Sequence, residues 1–554
     1  MILLIILFIS AVLSYPLGKY LNALLSYSSQ EDKRSRGDIF LSRVFGKSIL
    51  EKQDWKSYIS SLIFFNLIMF ILVFCILFFQ NLLPLNPDSK DGLEWSLAFN
   101  TAISFTTNTN LQHYSGEVSL SYFSQVFGLM WLQFVSAATG IASLAAISRG
   151  LIGEKTFGNF LNDLLRVTFY FLLPIAMIFA TLLLAFGVVM TYEGSIAVTT
   201  LEGITQTIAR GPVAAFVAIK QLGTNGGGFF GTNSAHPFEN PNVYTNIIES
   251  LAILLIPMSC VWFYGFFTKR LRHSSVIFSV MAILLIVKIG LTVYFESQPN
   301  QAFTNLPVVQ GPNLEGKELR FGTNTSPLWA VLTTSTSNGS VNSMHDSLNP
   351  LAGLIPMVAM WFNVTFGGVG VGFINMLLYI IVGIFISGMM VGRTPEYLGK
   401  KIEAEEMKWA LLAILLHPLL ILGGTALFCI FPWGKDAINN PNFHGFSEIL
   451  YEFSSAAANN GSGFEGLGDD TVPWNIATGI VMLLGRFLPI ILPFIISAKM
   501  QTKKVALENS GTLRVDTILF GVILLGTVIF VGALLFMPVA ILGPIADHLS
   551  FLTP

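Results

Sequence analysis

Lys220-Gln-Leu-Gly-Thr-Asn-Gly-Gly-Gly-Phe-Phe-Gly-Thr-Asn233 places five glycines in fourteen residues. A phosphate cradle, a flexible linker and an ion filter each use bare backbone of this density differently. The surroundings decide among them. Of 554 residues, 53% are hydrophobic and only 11% are charged, with a mean hydropathy of +0.67. A soluble protein carries about 25% charge. The net charge of -2 gives no sign of a nucleic-acid partner. Cys75, Cys260 and Cys429 sit singly in apolar runs, without metal-ligand spacing.

A bilayer needs roughly 20 apolar residues per helix. Ten runs qualify, at about 1–25, 59–83, 124–147, 168–190, 245–268, 274–295, 350–392, 409–432, 475–498 and 516–543. The first run lacks a preceding positive charge and a following small-residue cleavage site, so it reads as a retained anchor. Lysine and arginine fix the orientation. The segment 27–58 carries Lys33, Arg34, Arg36, Arg43, Lys47, Lys52 and Lys56, and the alternate segments together hold 21 of the 30 basic residues. That side is expected to be cytoplasmic. Both termini and the glycine-rich loops then face outside.

Those outer loops repeat. Aligned on one asparagine, Thr107-Asn108-Thr109-Asn110, Thr224-Asn225-Gly226-Gly227, Ser337-Asn338-Gly339-Ser340 and Asn459-Asn460-Gly461-Ser462 coincide. One such tetrad is an ordinary turn. Four in the same topological slot imply a shared role. Each follows a short, mildly apolar run, at 94–105, 211–222, 326–335 and 447–458. These are too short to span and read as re-entrant half-helices. Pro212 and Pro327 suit first helical positions, and Ser326 and Ser447 suit N-caps. The expected fold is an all-α membrane protein of about ten transmembrane helices. Four helix–pore-loop–helix repeats surround a pseudo-fourfold axis, with one extra helix at each end. The divisions are 1–58 (first helix and cytoplasmic loop), 59–148, 168–268, 274–392 and 409–498 (repeats 1 to 4), and 516–543 (last helix).

Irregular backbone survives at membrane depth only where protein buries it or a wet cavity lines it. Half-helices entering from outside present their C-termini, each roughly half a negative charge, inside the membrane. Glycine lets four backbones crowd one axis, and their carbonyl oxygens replace the hydration shell of a monovalent cation. Mg²⁺ prefers carboxylates and retained water, and no tetrad contains a carboxylate. Glu117, Glu239, Asp346 and Glu465 follow the tetrads and are expected to concentrate cations at the outer mouth.

The longer motifs carry a family resemblance. "TTNTNLQHYSGE" (106–117), "GTNGGGFF…NSAHPFENP" (223–241), "TSTSNGSVNSMHDSLNP" (334–350), "AAANNGSGFEGL" (456–467) and "GRFLPI" (485–490) resemble the A subunits of Kdp potassium-transporting P-type ATPases, within the superfamily of potassium transporters. Leu111 stands where that family favours a larger aromatic residue. The resemblance implies K⁺ as the bound ion, with no organic cofactor. It implies a separate P-type ATPase B subunit that hydrolyses ATP, small C and F subunits, and a bacterial plasma (inner) membrane as lipid environment. The sequence agrees in what it lacks. There is no Asp-Lys-Thr-Gly motif, and the one Gly-Lys-Ser, at Gly46–Ser48, has Leu41 where a phosphate loop needs glycine. A stand-alone potassium channel or symporter of the same superfamily is the alternative. An organic-solute carrier predicts inverted repeats instead.

The expected filter comprises Thr106, Thr107, Asn108, Thr109, Thr224, Asn225, Gly226, Gly227, Thr336, Ser337, Asn338, Gly339, Asn459, Asn460 and Gly461, with Gln112 at its entrance. The run 350–392 is too long for one straight span. Asn363 and "FGGVGVG" interrupt it, so Gly367, Gly368, Gly370 and Gly372 are read as a gate loop under the filter. Arg486, mid-span, is an ion-pathway charge. Lys288 reads as a snorkelling lysine. Lys220 is expected to pair with an acidic residue that the sequence does not single out. His113, His236, His345 and His444 read as loop histidines near the surface.

Overall fold

The structure is a computed structural model and describes residues 2–26, 43–44, 46–303, 306–307, 310–392, 394–505 and 513–551. Lys33, Arg34 and Arg36, counted above for orientation, lie outside the described residues. Among the described residues, ten helices are long and apolar enough to cross a membrane: α1 (Ile2–Leu25), α2 (Trp55–Phe78), α4 (Ser124–Ile152), α5 (Phe160–Ala185), α7 (Val243–Phe267), α8 (Leu271–Glu296), α11 (Val371–Val391), α12 (Ala404–Ile430), α14 (Val472–Thr502) and α15 (Ile518–Ser550). The protein is therefore a multi-pass membrane protein. Among the described residues, four shorter helices of ten or more residues stand between them: α3 (Trp95–Thr106), α6 (Val213–Leu222), α9 (Gly322–Ser335) and α13 (Asn442–Ala458). A fifth, α10 (Pro350–Phe362), precedes α11.

Local chemistry sets the ends of these elements. The Asp54 carboxylate accepts from the Ser57 amide and starts α2, and the Glu94 carboxylate accepts from the Ser96 and Leu97 amides and starts α3. Asn242 and Thr245 form a capping box on α7, as Glu403 and Glu406 do on α12. Gly153, at φ +86°, closes α4. Two expected starts were misplaced. Pro327 and Ser326 lie inside α9, and Ser447 lies inside α13, because both helices begin a turn or more before the apolar run. Pro212 does flank its helix, as the cap of α6.

The helices group by repeat: α2–α3–α4, α5–α6–α7, α8–α9–α10/α11 and α12–α13–α14. Neighbouring repeats touch in sequence around the ring, and α14 of repeat 4 packs on α3 and α4 of repeat 1, which closes it. Helices α4, α7 and α11 are mostly buried and form the inner wall, whereas α1, α2 and α15 turn most of their surface outward. That division follows composition: the inner helices carry the Gly, Ala, Ser and Thr that allow close approach. α1 lies against α7, where a β-carbon on Gly18 would strike Trp262 and the Ser259 carbonyl. Lys288 of α8 does not snorkel. It is 6% exposed, because α8 packs against α7, α9, α10 and α15, and its ammonium has no hydrogen-bond partner among the described residues. An antiparallel hairpin that the sequence did not announce, Ile196–Thr199 with Thr205–Ile208, projects between α5 and α6.

Candidate functional site

At the end of each of α3, α6, α9 and α13 the chain turns back in the same way. The amides of Thr109, Asn225, Asn338 and Asn460 donate to the carbonyls of Ser104, Lys220, Thr333 and Ser455, five residues earlier, at 2.8–2.9 Å. The residue before each of these four adopts positive φ: Asn108 (62°), Thr224 (48°), Ser337 (49°) and Asn459 (51°). The residue after does so again: Asn110 (56°), Gly226 (80°), Gly339 (90°) and Gly461 (102°). This geometry corrects the alignment on Asn108. The residue equivalent to Asn225, Asn338 and Asn460 is Thr109, so repeat 1 is displaced by one. Asn110 then occupies the glycine position, and Thr106 falls back into α3. Two asparagines flank Thr109, so the letter Asn does not mark the equivalent position in repeat 1.

The four loops form one closed ring. A β-carbon on Gly226 would collide with the Asn338 carbonyl, one on Gly339 with the Asn460 carbonyl, and one on Gly461 with the Thr109 carbonyl. Side-chain amides lace the same seams. Asn108 Nδ2 donates to the Thr224 carbonyl (2.8 Å), and Asn225 Nδ2 donates to Asn108 Oδ1 (2.7 Å). Asn338 Nδ2 donates to the Lys220 carbonyl (3.2 Å), Asn460 Nδ2 to the Thr333 carbonyl (2.9 Å), and Asn459 Nδ2 to Thr109 Oγ1 (2.9 Å). Asn108, Asn225, Asn338 and Asn460 thus meet around one centre. The carbonyl oxygens of Thr109, Asn225, Asn338 and Asn460 accept no hydrogen bond among the described residues, although all four residues are buried. Buried carbonyls are seldom left so. Here four of them stand at one register of the four loops.

One seam differs. Where the other loops have glycine, Asn110 brings a side chain, and both ends of its buried amide lack a partner among the described residues. A β-carbon on Gly227 would lie 2.8 Å from Asn110 Cβ, so Gly227 has the room that Asn110 requires. Gln112 clamps this seam from outside. Its Oε1 accepts from the Gly228 amide (2.7 Å), and its Nε2 donates to the Gly228 carbonyl (3.0 Å). Gln112 is half-buried and holds loop 1 to loop 2 just beyond the ring.

On the other side of the ring the third repeat's second helix is broken. α10 ends at Asn363 (φ 46°), Phe366 (64°), Gly367 (61°) and Gly370 (78°) turn the chain, and α11 starts at Val371. This segment is fastened to three of the four pore segments. The Val369 amide donates to Thr224 Oγ1 (3.0 Å), and the Gly367 amide donates to the Ser335 carbonyl (3.0 Å). Asn363 accepts from Ser337 Oγ (2.8 Å) and donates to the Ala458 carbonyl (3.2 Å). α4 of repeat 1 supplies the fourth wall. A β-carbon on Gly140 would strike the Val369 carbonyl, and one on Gly370 would strike the Gly140 carbonyl. The glycines are there because two backbones touch. A β-carbon on Gly372 would likewise meet Phe366 O and Gly367 Cα, and one on Gly368 would lie 3.5 Å from Ser337 Cβ. Arg486 of α14 reaches the same place. It is 3% exposed, its Nη2 donates to the Ser136 carbonyl (3.2 Å), and among the described residues it forms no ion pair.

Outside the ring, the four acidic residues expected at an open mouth are all tied to neighbouring groups of the protein. Glu239 is fully buried and pairs with Lys220. Glu465 is half-buried and accepts from the His345 amide (2.6 Å). Burial raises its carboxyl to about 8. Asp346 accepts from His444 (2.8 Å) and Asn440 (3.1 Å). Glu117 is half-buried too and accepts from the Gly231 amide (2.8 Å). Two of the four histidines, His113 and His345, are buried rather than near the surface, because their loops fold back over the pore helices, whereas His236 and His444 are half-buried. His113 is buried between Asn475 (2.7 Å), Glu452 (3.4 Å) and Asp469 (3.7 Å). Burial lowers its pKa, but Asp469 and then Glu452 outweigh this and raise it to about 9. His345 is buried beside Tyr451, and burial lowers it to about 3. His236 stacks on Phe230 at 3.7 Å.

Comparisons with known proteins fit this geometry. Residues 4–549 match the family profile of the potassium-transporting ATPase A subunit. A relative from Geobacillus kaustophilus, described as a potassium-transporting ATPase potassium-binding subunit, is 47% identical over 543 residues, 97% of each chain. One of the same description from Flavobacterium psychrophilum is 46% identical over 563 residues, covering 98% of this chain and 97% of that one. Among solved structures, the potassium transporter TrkH from Vibrio parahaemolyticus has a similar fold. Its TM-score is 0.51 at 12% identity, over 87% of this chain and 97% of that chain.

Proposed function

The chain belongs to the family of potassium-transporting ATPase A subunits, and on that premise we propose that it is the potassium-binding and translocating subunit of a high-affinity, ATP-driven uptake complex. The observation that carries this is the set of four buried, unbonded carbonyls of Thr109, Asn225, Asn338 and Asn460 on a closed ring. Such a ring replaces the water around a weakly hydrated ion at little cost. The ring residues include no carboxylate, which disfavours Mg²⁺ and Ca²⁺. The negative ends of α3, α6, α9 and α13 favour positive charge at its centre. The filter faces outside, both termini lie on that side, and the membrane is the bacterial inner membrane. The ion then passes to a P-type ATPase B subunit, with small C and F subunits completing the complex.

The test is direct. With Rb⁺ present, anomalous density is expected on the axis of the four loops, and a large ATP-hydrolysing subunit is expected to co-purify. An empty axis in saturating Rb⁺ sinks the assignment.

Arg486 supplies a second check. A unit charge about 8 Å from an ion is worth about 2 kcal/mol at an effective dielectric of about 20. Its place beside the broken helix therefore raises the barrier to straight passage. Arg486→Gln is expected to leave ATP turnover running while K⁺ uptake per ATP falls by up to roughly 30-fold, in line with that energy. Normal coupling in the variant makes Arg486 a structural charge.

A further inference from the structure

Lys220 occupies a position that the other three loops fill with a hydroxyl residue. By the ring register its equivalents are Ser104, Thr333 and Ser455. Each of those reaches its own loop: Ser104 Oγ donates to the Leu111 carbonyl (2.9 Å), Thr333 Oγ1 to Asn338 Oδ1 (3.4 Å), and Ser455 Oγ accepts from the Gly461 amide (2.9 Å). Lysine is too long for that contact. It reaches outward, and a second residue returns to the loop. Lys220 Nζ donates to Asn233 Oδ1 (2.7 Å) and pairs with Glu239, with both charged groups fully buried. Asn233 Nδ2 then donates to the Gly226 carbonyl at 2.7 Å. Glu239 also accepts from the Phe230 amide (2.9 Å), which ties the far end of the loop to the same pair. Asn233 sits at φ 53°, the left-handed region, so its amide is aimed by its backbone as well.

We propose that the Lys220–Glu239 pair and Asn233 form a specificity-determining strut behind loop 2. The strut fixes the direction of the Gly226 carbonyl and, through it, the position of the neighbouring Asn225 carbonyl on the ring. It rests on the filter reading above. A buried ion pair is seldom retained for stability, since apolar residues of similar volume often serve as well. Here it aims a peptide group. With the Gly226 carbonyl held away from the ring, the peptide between Gly226 and Gly227 cannot swing, and loop 2 keeps one spacing from Gly339 and Asn338. A ring of fixed spacing distinguishes K⁺ from Rb⁺ and Na⁺ better than one that adjusts to each ion. Lys220, Glu239 and Asn233 touch no ion and are positioning residues.

The test uses the whole complex and three variants. Asn233→Gly keeps the left-handed backbone and the ion pair but releases the Gly226 carbonyl. Lys220→Met/Glu239→Leu removes both charges together and avoids leaving one buried alone. Gly339→Ala reports on the ring itself. Apparent affinities for K⁺, Rb⁺ and Na⁺ are measured for each through ion-stimulated ATP hydrolysis. Asn233→Gly and the double variant are expected to lose roughly tenfold in K⁺-over-Rb⁺ discrimination, the effect of one charge-assisted or buried hydrogen bond, and Asn233→Gln is expected to restore part of it. If both variants assemble and discriminate as wild type while Gly339→Ala does not, the strut is overturned and the filter stands. If Gly339→Ala also behaves as wild type, the filter reading falls, and the strut with it. If the double variant fails to assemble, Asn233→Gly alone decides.

Discussion

Replacing Gly339 with alanine is expected to lower apparent K⁺ affinity by at least roughly tenfold and to bring K⁺ and Rb⁺ close to equivalence. Two costs add. Gly339 has φ 90°, outside the range an L-residue adopts comfortably, and such backbone strain is worth about 1–3 kcal/mol. The new methyl would also meet the Asn460 carbonyl, one of the four oxygens assigned to the ion. Loop 4 must move or loop 3 must re-form, and either change spoils the ring at two adjacent positions. Each 1.4 kcal/mol is about tenfold in affinity, so the lower bound is conservative. Gly226→Ala is expected to do the same at the next seam, against Asn338. Ion-stimulated ATPase titrations with K⁺ and Rb⁺ read both effects. Wild-type affinity in both variants removes the filter from these loops.

The second large effect is expected at the broken helix. Shortening the segment Phe366–Gly370 by deleting Gly367 and Gly368 removes the turn that lies against Thr224, Ser335 and Ser337. In liposomes without ATP, passive K⁺ flux should rise. Loss of about 1.4 kcal/mol of barrier alone gives roughly tenfold, and removal of the whole obstruction gives more. An uptake machine that builds a gradient cannot keep an unobstructed conduit beside it. The segment sits where an obstruction has most effect, hydrogen-bonded to three pore segments from one side and pressed on α4 at Gly140. Flux that stays at background in a correctly assembled variant means that this segment only packs.

Much of this was legible in the sequence, for physical reasons. Apolar length gave the ten spans, since a bilayer imposes one dimension on every helix. The four tetrads were visible because a positive-φ turn admits few residue types. Asn363 and the glycines after it announced a helix break, and a break stands there. What escaped was set by three-dimensional neighbours. The one-residue shift in repeat 1 depends on which amide closes the turn, and the letters Asn108 and Asn110 flanking Thr109 disguise it. Glu239 pairs with Lys220 across an irregular loop that has no periodicity to read. His113 and His345 looked like loop residues and are loop residues, but their loops are folded over the pore helices, and burial follows from packing rather than composition. The hairpin at 196–208 lies in a polar stretch without clear alternation.

Asn110 has a wider consequence. A ring assembled from identical chains changes all its quadrants with every mutation. Here one polypeptide supplies four unlike quadrants, and one of them already departs from glycine without breaking the circle. A substitution in this chain therefore alters one sector at a time, and the first sector carries asparagine where the other three carry glycine.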